Sequence, residues 1–135
     1  MLGVVALLTT ACGGSKALSK GQYVSRLNAT CQDFRKREQA IGNPQDLVNN
    51  GPKIVDAFEK AIVEKVHKLK APREIAGQAK RLIAIADEQR NVLSGMVDAA
   101  KRGDQAKVGE LASKNAMLNR ESNAIAREIG ASACA

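Results

Sequence analysis

The chain has 135 residues, of which 44% are apolar and only three are aromatic, and its formal net charge is +7. This length allows one domain with a single buried core, and the apolar fraction excludes a disordered chain. A core with so few aromatic side chains depends on Ala, Leu, Ile and Val, which favours packed helices, while the charge favours an anionic partner without choosing among nucleic acid, phospholipid and acidic polymer.

An uncharged apolar stretch opens the chain, from Met1 to Ala11. It is too short to span a bilayer, which takes about 20 residues, but it has the length of the apolar part of a secretory signal peptide. A signal peptide also begins with Lys or Arg, and neither is present here, which predicts that the true start lies upstream.

The segment LTTAC that follows resembles the lipobox of bacterial lipoproteins, and the GGS after it resembles the tether common in that class. This resemblance implies a signal peptide over residues 1–11, a diacylglycerol on Cys12, and a flexible tether over residues 12–18. Two alternatives remain open: a signal peptide that is cleaved without lipidation, and a plain apolar tail.

Four amphipathic helices are predicted for residues 19–135. In the first, Ser19 is the N-cap, and apolar residues recur every three or four positions as far as Ile41, with Glu38 as the only break. A turn-rich loop follows. The second helix is then predicted to begin near Pro52 and to end near Ala71, where the next proline stops it.

The third helix is predicted from Pro72 to about Arg102, and the fourth from its cap Asp104 to Gly130. Four such helices with short connections predict an all-α fold, an antiparallel up-down four-helix bundle. The C-terminal tail ASACA is expected to be tied to the first helix by a disulfide.

That disulfide would join Cys31 to Cys134, the two cysteines that remain if Cys12 is lipidated. An even pair in an exported protein indicates a disulfide, and closing a loop of about 100 residues contributes about 4 to 5 kcal/mol in the chain-entropy account. A metal pair and a reactive nucleophile are the alternatives. The chain has no CxxC and only one histidine, which disfavours a metal site.

Few residues are suited to carry chemistry. Glu64 and His67 have the ExxH spacing of di-iron bundles, but His67 is the only histidine, so the second half of such a site is missing and His67 is interpreted as a solvated residue. No Ser or Cys lies in a recognisable nucleophile motif, so no catalytic residue is predicted. Asn115 and Ser122 interrupt the apolar stripe of the fourth helix, where they either fix helix register or line a small-ligand cavity.

A wider resemblance covers nearly the whole mature chain. The segments YVSRLNATC, LKAP, RGD and IGASAC together make it similar to the small helical lipoproteins of high-GC Gram-positive bacteria, which are known only as uncharacterised. The resemblance implies an extracytoplasmic, lipid-anchored helical domain in which Cys31 is paired with Cys134, and it carries over no catalytic residue.

The expected function is therefore a non-enzymatic binding or interaction domain at the cell envelope, held to the membrane by its lipid anchor. Its expected partner is an envelope protein or an anionic surface component rather than nucleic acid, because the basic clusters are interleaved with Glu and Asp and offer no aromatic side chains to stack bases. No metal and no cofactor is predicted. The alternative is a helical bundle that binds a small ligand, a metal or a haem, with His67 or the region of Asn115 and Ser122 as its site.

Overall fold

The computed structural model describes residues 16–135. Within that range the chain forms four helices and no strand, which confirms the all-α prediction. The first helix, α1, is Lys20–Ile41. The second, α2, is composed of Gly51–Phe58, a π-helical turn Glu59–Val63, and Glu64–Lys68. A 3-10 turn, Arg73–Ile75, leads into α3, Ala76–Lys101, which is followed by α4, Gln105–Ile129, and a final 3-10 turn, Ser132–Cys134.

The ends of the helices follow local signals. Ser19 Oγ accepts a hydrogen bond from the Gln22 backbone N–H at 3.2 Å, and Gln22 Oε1 accepts one from the Ser19 N–H at 3.0 Å, which together make a capping box. Asp104 caps α4 by accepting from the Lys107 N–H at 3.0 Å. Gly130 ends α4 with φ of 88°, a left-handed conformation that favours glycine. The predictions for Ser19, Asp104 and Gly130 are confirmed.

The second helix differs from its prediction because of the π-helical turn. A π turn inserts one extra residue, which rotates the following side chains by about 100° around the helix axis. The π-helical turn accounts for the burial of Val63, which lies five residues after the buried Phe58. The stripe predicted for this helix also left out three other buried residues, since it consisted of Val55, Phe58, Ile62, Val66 and Leu69 and omitted Ile54, Ala57 and Ala61. The helix also ends at Lys68 rather than near Ala71, since the backbone at the next residue is already extended.

The core has two clusters of buried side chains. The larger one draws on all four helices and includes Tyr23 and Leu27 of α1, Phe58 of α2, Leu82 of α3 and Ala126 of α4. The smaller one lies between α3 and α4 and consists of the buried residues Ile85, Val92 and Leu118. Because α3 packs against both α2 and α4, its buried face is wider than the single apolar stripe that the sequence predicts. That predicted stripe consists of Ile75, Ala79, Leu82, Ala86, Leu93, Met96 and Ala100. The buried face also takes in Ile85, Val92, Val97 and Ala99.

Polar contacts connect neighbouring helices. The Arg81 guanidinium of α3 donates two hydrogen bonds to the Glu121 carboxylate of α4, at 2.6 and 2.8 Å, and so holds the pKa of Glu121 below its ordinary value. Both side chains are nearly half exposed, which limits what this ion pair adds to stability. Further pairs between helices in the described residues include Gln78–Glu128, Glu88–Lys114, Glu59–Arg90 and His67–Asp87.

The C-terminal tail is fixed to α1, as predicted. Cys31 and Cys134 form a disulfide with their Cα atoms 5.4 Å apart. Beside it, the Ala133 N–H donates to Asn28 Oδ1 at 3.0 Å, and the Arg35 guanidinium donates to the Ala133 carbonyl oxygen. The tail therefore has polar as well as covalent attachments to this helix.

Tyr23 has an unusual position for a tyrosine. Its side chain is fully buried, and its hydroxyl has no hydrogen-bond partner in residues 16–135. Burial also raises the pKa of the phenol, because the charged phenolate is disfavoured away from water. We expect Tyr23→Phe to raise the free energy of unfolding by about 1 kcal/mol, since a buried hydroxyl without a partner is destabilising.

The pH dependence of stability gives a second measurement on the same variant. A folded-state pKa above the unfolded value of about 10 gives stability that is present below pH 10 and is lost as the pH rises beyond it. Urea denaturation at several pH values should therefore show wild-type stability falling relative to Tyr23→Phe only above about pH 10. A loss of stability in Tyr23→Phe at neutral pH would contradict the absence of a hydroxyl partner.

Candidate functional site

A cleft of about 280 Å³ opens between the helices and is the candidate functional site. Every helix contributes to its wall, and the disulfide closes one side. Most of the wall is apolar, formed by side chains such as Leu27, Phe34, Phe58, Ile62, Ile85 and Ala126. Ile62 belongs to the π-helical turn of α2, so this irregular turn places a side chain in the wall of the cleft.

Carboxamides form one polar part of the wall. Gln89 of α3 is only 7% exposed, and its Nε2 donates to Asn119 Oδ1 of α4. In the orientation that satisfies its hydrogen bonds, the Asn123 amide donates to the carbonyl oxygens of Asn119 and Cys134, at 3.2 and 3.0 Å. Ser122 Oγ donates to the Asn119 carbonyl oxygen at 3.1 Å. These contacts hold several polar side chains together in an otherwise apolar wall.

Two charged side chains of α1, Arg35 and Glu38, also line the cleft. Arg35 is oriented by its hydrogen bond to the Ala133 carbonyl oxygen. Glu38 is the residue that breaks the apolar spacing of the first helix, and its place in the wall of the cleft accounts for that break. Charges therefore lie in the same cleft as the carboxamides.

The residues singled out in the sequence divide between the cleft and other places. Cys31, Cys134 and Ser122 line the cleft. Asn115 is not part of its wall, and its buried Oδ1 has no hydrogen-bond partner in the described part of the chain. Cys12, the predicted lipidation site, and the predicted signal peptide lie outside the described residues.

His67 lies away from the cleft. Its side chain is 48% exposed, and Nε2 is 2.8 Å from Asp87 Oδ1 on α3. It is therefore a surface residue with one carboxylate neighbour, where the sequence predicted a solvated side chain. In residues 16–135, no group of three or more His, Cys, Asp or Glu side chains is placed to hold a metal ion.

Gln89 and Asn119 were not identified from the sequence. Gln89 does fall on the buried face of α3, seven residues after Leu82, and this position was a signal that a polar residue enters the core. Asn119 follows Asn115 by four residues, the spacing that puts both on one face of α4. Its pairing with Gln89 depends on how two helices pack, which the local pattern does not contain.

The combination of apolar and polar groups in the cleft is suited to binding a small molecule. An apolar cleft with a few convergent polar groups is the usual form of a small-molecule site.

None of the described helices is both long and apolar enough to serve as a bilayer-spanning segment. Comparison with protein families, with curated proteins and with solved structures finds no match to this chain.

Proposed function

We propose that this protein is a non-enzymatic binding domain, held at the outer face of the cell membrane by a lipid on Cys12, and that the cleft holds a small amphipathic ligand. The anchoring part of the proposal is supported by the segment LTTAC and the tether after it. The binding part is supported by one observation: two breaks in the apolar stripes of the helices, Glu38 and Ser122, both lie in the cleft wall.

The helix arrangement proposed with this function is an antiparallel up-down bundle. Between α2 and α3, Gly51 lies against Val97, whereas Glu59 pairs with Arg90. Residues later in α2 therefore contact residues earlier in α3, as in an antiparallel pair. The pairs Gln78–Glu128, Arg81–Glu121 and Glu88–Lys114 follow the same order between α3 and α4. A bundle of this kind builds ligand sites from side chains on facing helices.

The cleft also suggests the size and chemistry of its ligand. Its volume of about 280 Å³ is roughly twice that of apolar cavities of about 150 Å³ that bind benzene, so a ligand of about a dozen non-hydrogen atoms fits. The Gln89–Asn119 hydrogen bond uses the amide nitrogen of Gln89 and the amide oxygen of Asn119. The remaining Gln89 carbonyl oxygen and Asn119 amide nitrogen then supply an acceptor and a donor for one polar group of the ligand.

Binding of β-naphthol, a fluorescent molecule of that size with one hydroxyl group, tests the proposed site. We expect saturable binding with one probe per chain. Filling the cleft by Ala126→Leu or by Ser122→Leu should weaken binding at least about tenfold, because the added side chain occupies volume that the probe needs.

Ala124→Leu is the matched control, since it adds the same atoms to an exposed position on the same helix. It should leave the affinity for β-naphthol unchanged. Circular dichroism of each variant verifies that the helices are retained. Absence of saturable binding, or an equal loss in Ala124→Leu, would refute the cleft as a ligand site.

The proposed attachment has its own measurement. Intact mass spectrometry of the protein extracted from membranes of its native host should show a chain that begins at Cys12 and carries the added mass of a diacylglycerol. Cys12→Ser should remove the added mass, and with it the stable anchoring that two acyl chains provide. A mature chain that begins elsewhere and carries no lipid would contradict the proposed anchor without affecting the cleft.

A further inference from the structure

A basic groove of about 370 Å³ lies between α1 and α2, separate from the cleft. Its basic lining residues, Arg26, Lys65 and Lys68, are exposed, and they form no ion pair with another side chain in residues 16–135. One carboxylate, that of Asp33, also lines the groove, and it is paired with Arg37 at 3.0 Å. The groove thus has an excess of uncompensated positive charge.

The chain enters the domain beside this groove. The Leu18 N–H donates to the Lys70 carbonyl oxygen at 2.9 Å, two residues beyond Lys68. The six residue-to-residue steps between Cys12 and Leu18 reach at most about 20 Å when fully extended. A lipid on Cys12 would therefore keep the basic groove within a short distance of the headgroups of the bilayer.

We propose that the basic groove, defined by Arg26, Lys65 and Lys68, docks on anionic phospholipid at the membrane surface. The inference rests on the proposed attachment at Cys12 for its orientation. Basic side chains close to an anionic bilayer are attracted to it, and a lipid anchor combined with a basic surface holds a protein more firmly than one signal alone. No aromatic side chain lines the groove, which disfavours single-stranded nucleic acid as its ligand.

Docking adds a second contact with the membrane. This contact restricts the orientation of the domain, which a lipid anchor alone would leave free to rotate. With Arg26, Lys65 and Lys68 on the headgroups, α1 and α2 would face the bilayer through this groove. No residue of the described chain lines both the groove and the ligand cleft, so a ligand and the membrane do not compete for these side chains.

Cosedimentation of the full chain with vesicles tests the proposal, using Cys12→Ser as the background so that no acyl chain contributes. Phosphatidylcholine vesicles are compared with vesicles in which phosphatidylglycerol makes up about one third of the lipid. Each basic side chain near such a surface increases partitioning about fivefold, so Arg26→Gln, Lys65→Gln and Lys68→Gln together should weaken binding on the order of 100-fold. High salt should have a similar effect in the parent chain, because it screens the attraction.

A triple variant with the same change in net charge is the control. Lys53, Lys101 and Arg102 are all exposed, and the latter two lie at the far end of α3, a helix of 26 residues that is about 39 Å long. Their replacement by Gln should weaken binding by much less. All variants should keep the parent helix content and melting temperature, since every replaced side chain is exposed.

Three results would overturn the proposal. An equal loss in both triple variants would show a general effect of net charge. Equal binding to pure phosphatidylcholine would show insertion of an apolar segment. Binding to soluble dextran sulfate that depends on the three groove residues, without binding to vesicles, would indicate an acidic polymer as the ligand. None of these results bears on attachment at Cys12, which the intact mass measures separately.

Discussion

Replacing Cys31 and Cys134 together by alanine is expected to lower the free energy of unfolding by about 4 to 5 kcal/mol. The disulfide joins residues 103 positions apart, so it removes a large amount of conformational freedom from the unfolded chain. The expected fall in melting temperature is more than about 10 °C for a domain of this size. Urea denaturation of the wild type and of the double variant measures the difference.

Reduction supplies the matched control. A thiol reductant should lower the melting temperature of the wild type toward that of the double variant and leave the double variant itself unchanged. The tail keeps its hydrogen bonds to Asn28 and Arg35, so both reduced and substituted proteins should keep their helix content at low temperature. A double variant with wild-type stability would contradict a native Cys31–Cys134 bond.

Ile85→Ala is expected to lower the free energy of unfolding by about 2 to 5 kcal/mol. Ile85 is fully buried and packs between α3 and α4 with Val92 and Leu118. Truncating it removes buried apolar surface and leaves a cavity that the surrounding helices only partly close. Urea denaturation should show a lower midpoint with an unchanged slope, because the surface exposed on unfolding stays nearly the same.

Met117→Ala is the control for this truncation. Met117 lies on α4, one residue before Leu118, but is 62% exposed. Its loss should change stability by no more than about 0.5 kcal/mol. A loss below about 1 kcal/mol in Ile85→Ala would mean that α3 and α4 do not pack through this cluster.

Local signals in the sequence were enough to locate most helix ends. Ser19, Asp104 and Gly130 act on backbone groups a few residues away, so their roles are contained in short segments. The pairing of Cys31 with Cys134 was also accessible, because the predicted lipidation of Cys12 leaves an even pair of cysteines.

Features that depend on packing were not accessible in the same way. The π-helical turn in α2 has no local sequence signal, and it changes which side chains of that helix are buried. The predicted stripe of α3 was too narrow because periodicity assumes one buried face, whereas this helix contacts two neighbours. Most of the polar part of the cleft was missed for the same reason: Gln89 and Asn119, for example, acquire their role only by meeting across α3 and α4.

The cleft distinguishes between the two polar residues, Asn115 and Ser122, that interrupt the apolar stripe of the fourth helix. The sequence alone allows two roles for Ser122, fixing the register of the helices or lining a cavity. In the structure, Ser122 lines the cleft. Asn115 lies outside the cleft wall, and its buried side-chain oxygen has no hydrogen-bond partner within residues 16–135. Two polar residues one heptad apart on the same helix thus have different surroundings, because the cleft reaches only one of them.

The disulfide also determines how this domain would respond to mechanical force. Tension applied between the tether and the C-terminus passes along α1 to Cys31, crosses the sulfur bridge to Cys134 and leaves at Ala135, so the intervening chain carries no load. That bypassed chain would otherwise contribute about 360 Å of extension at about 3.5 Å per residue, while residues 16–31 yield only about 50 Å. Under such a pull the domain extends far less than an unbridged chain would, and the load bypasses α2, α3 and α4, which form most of the cleft.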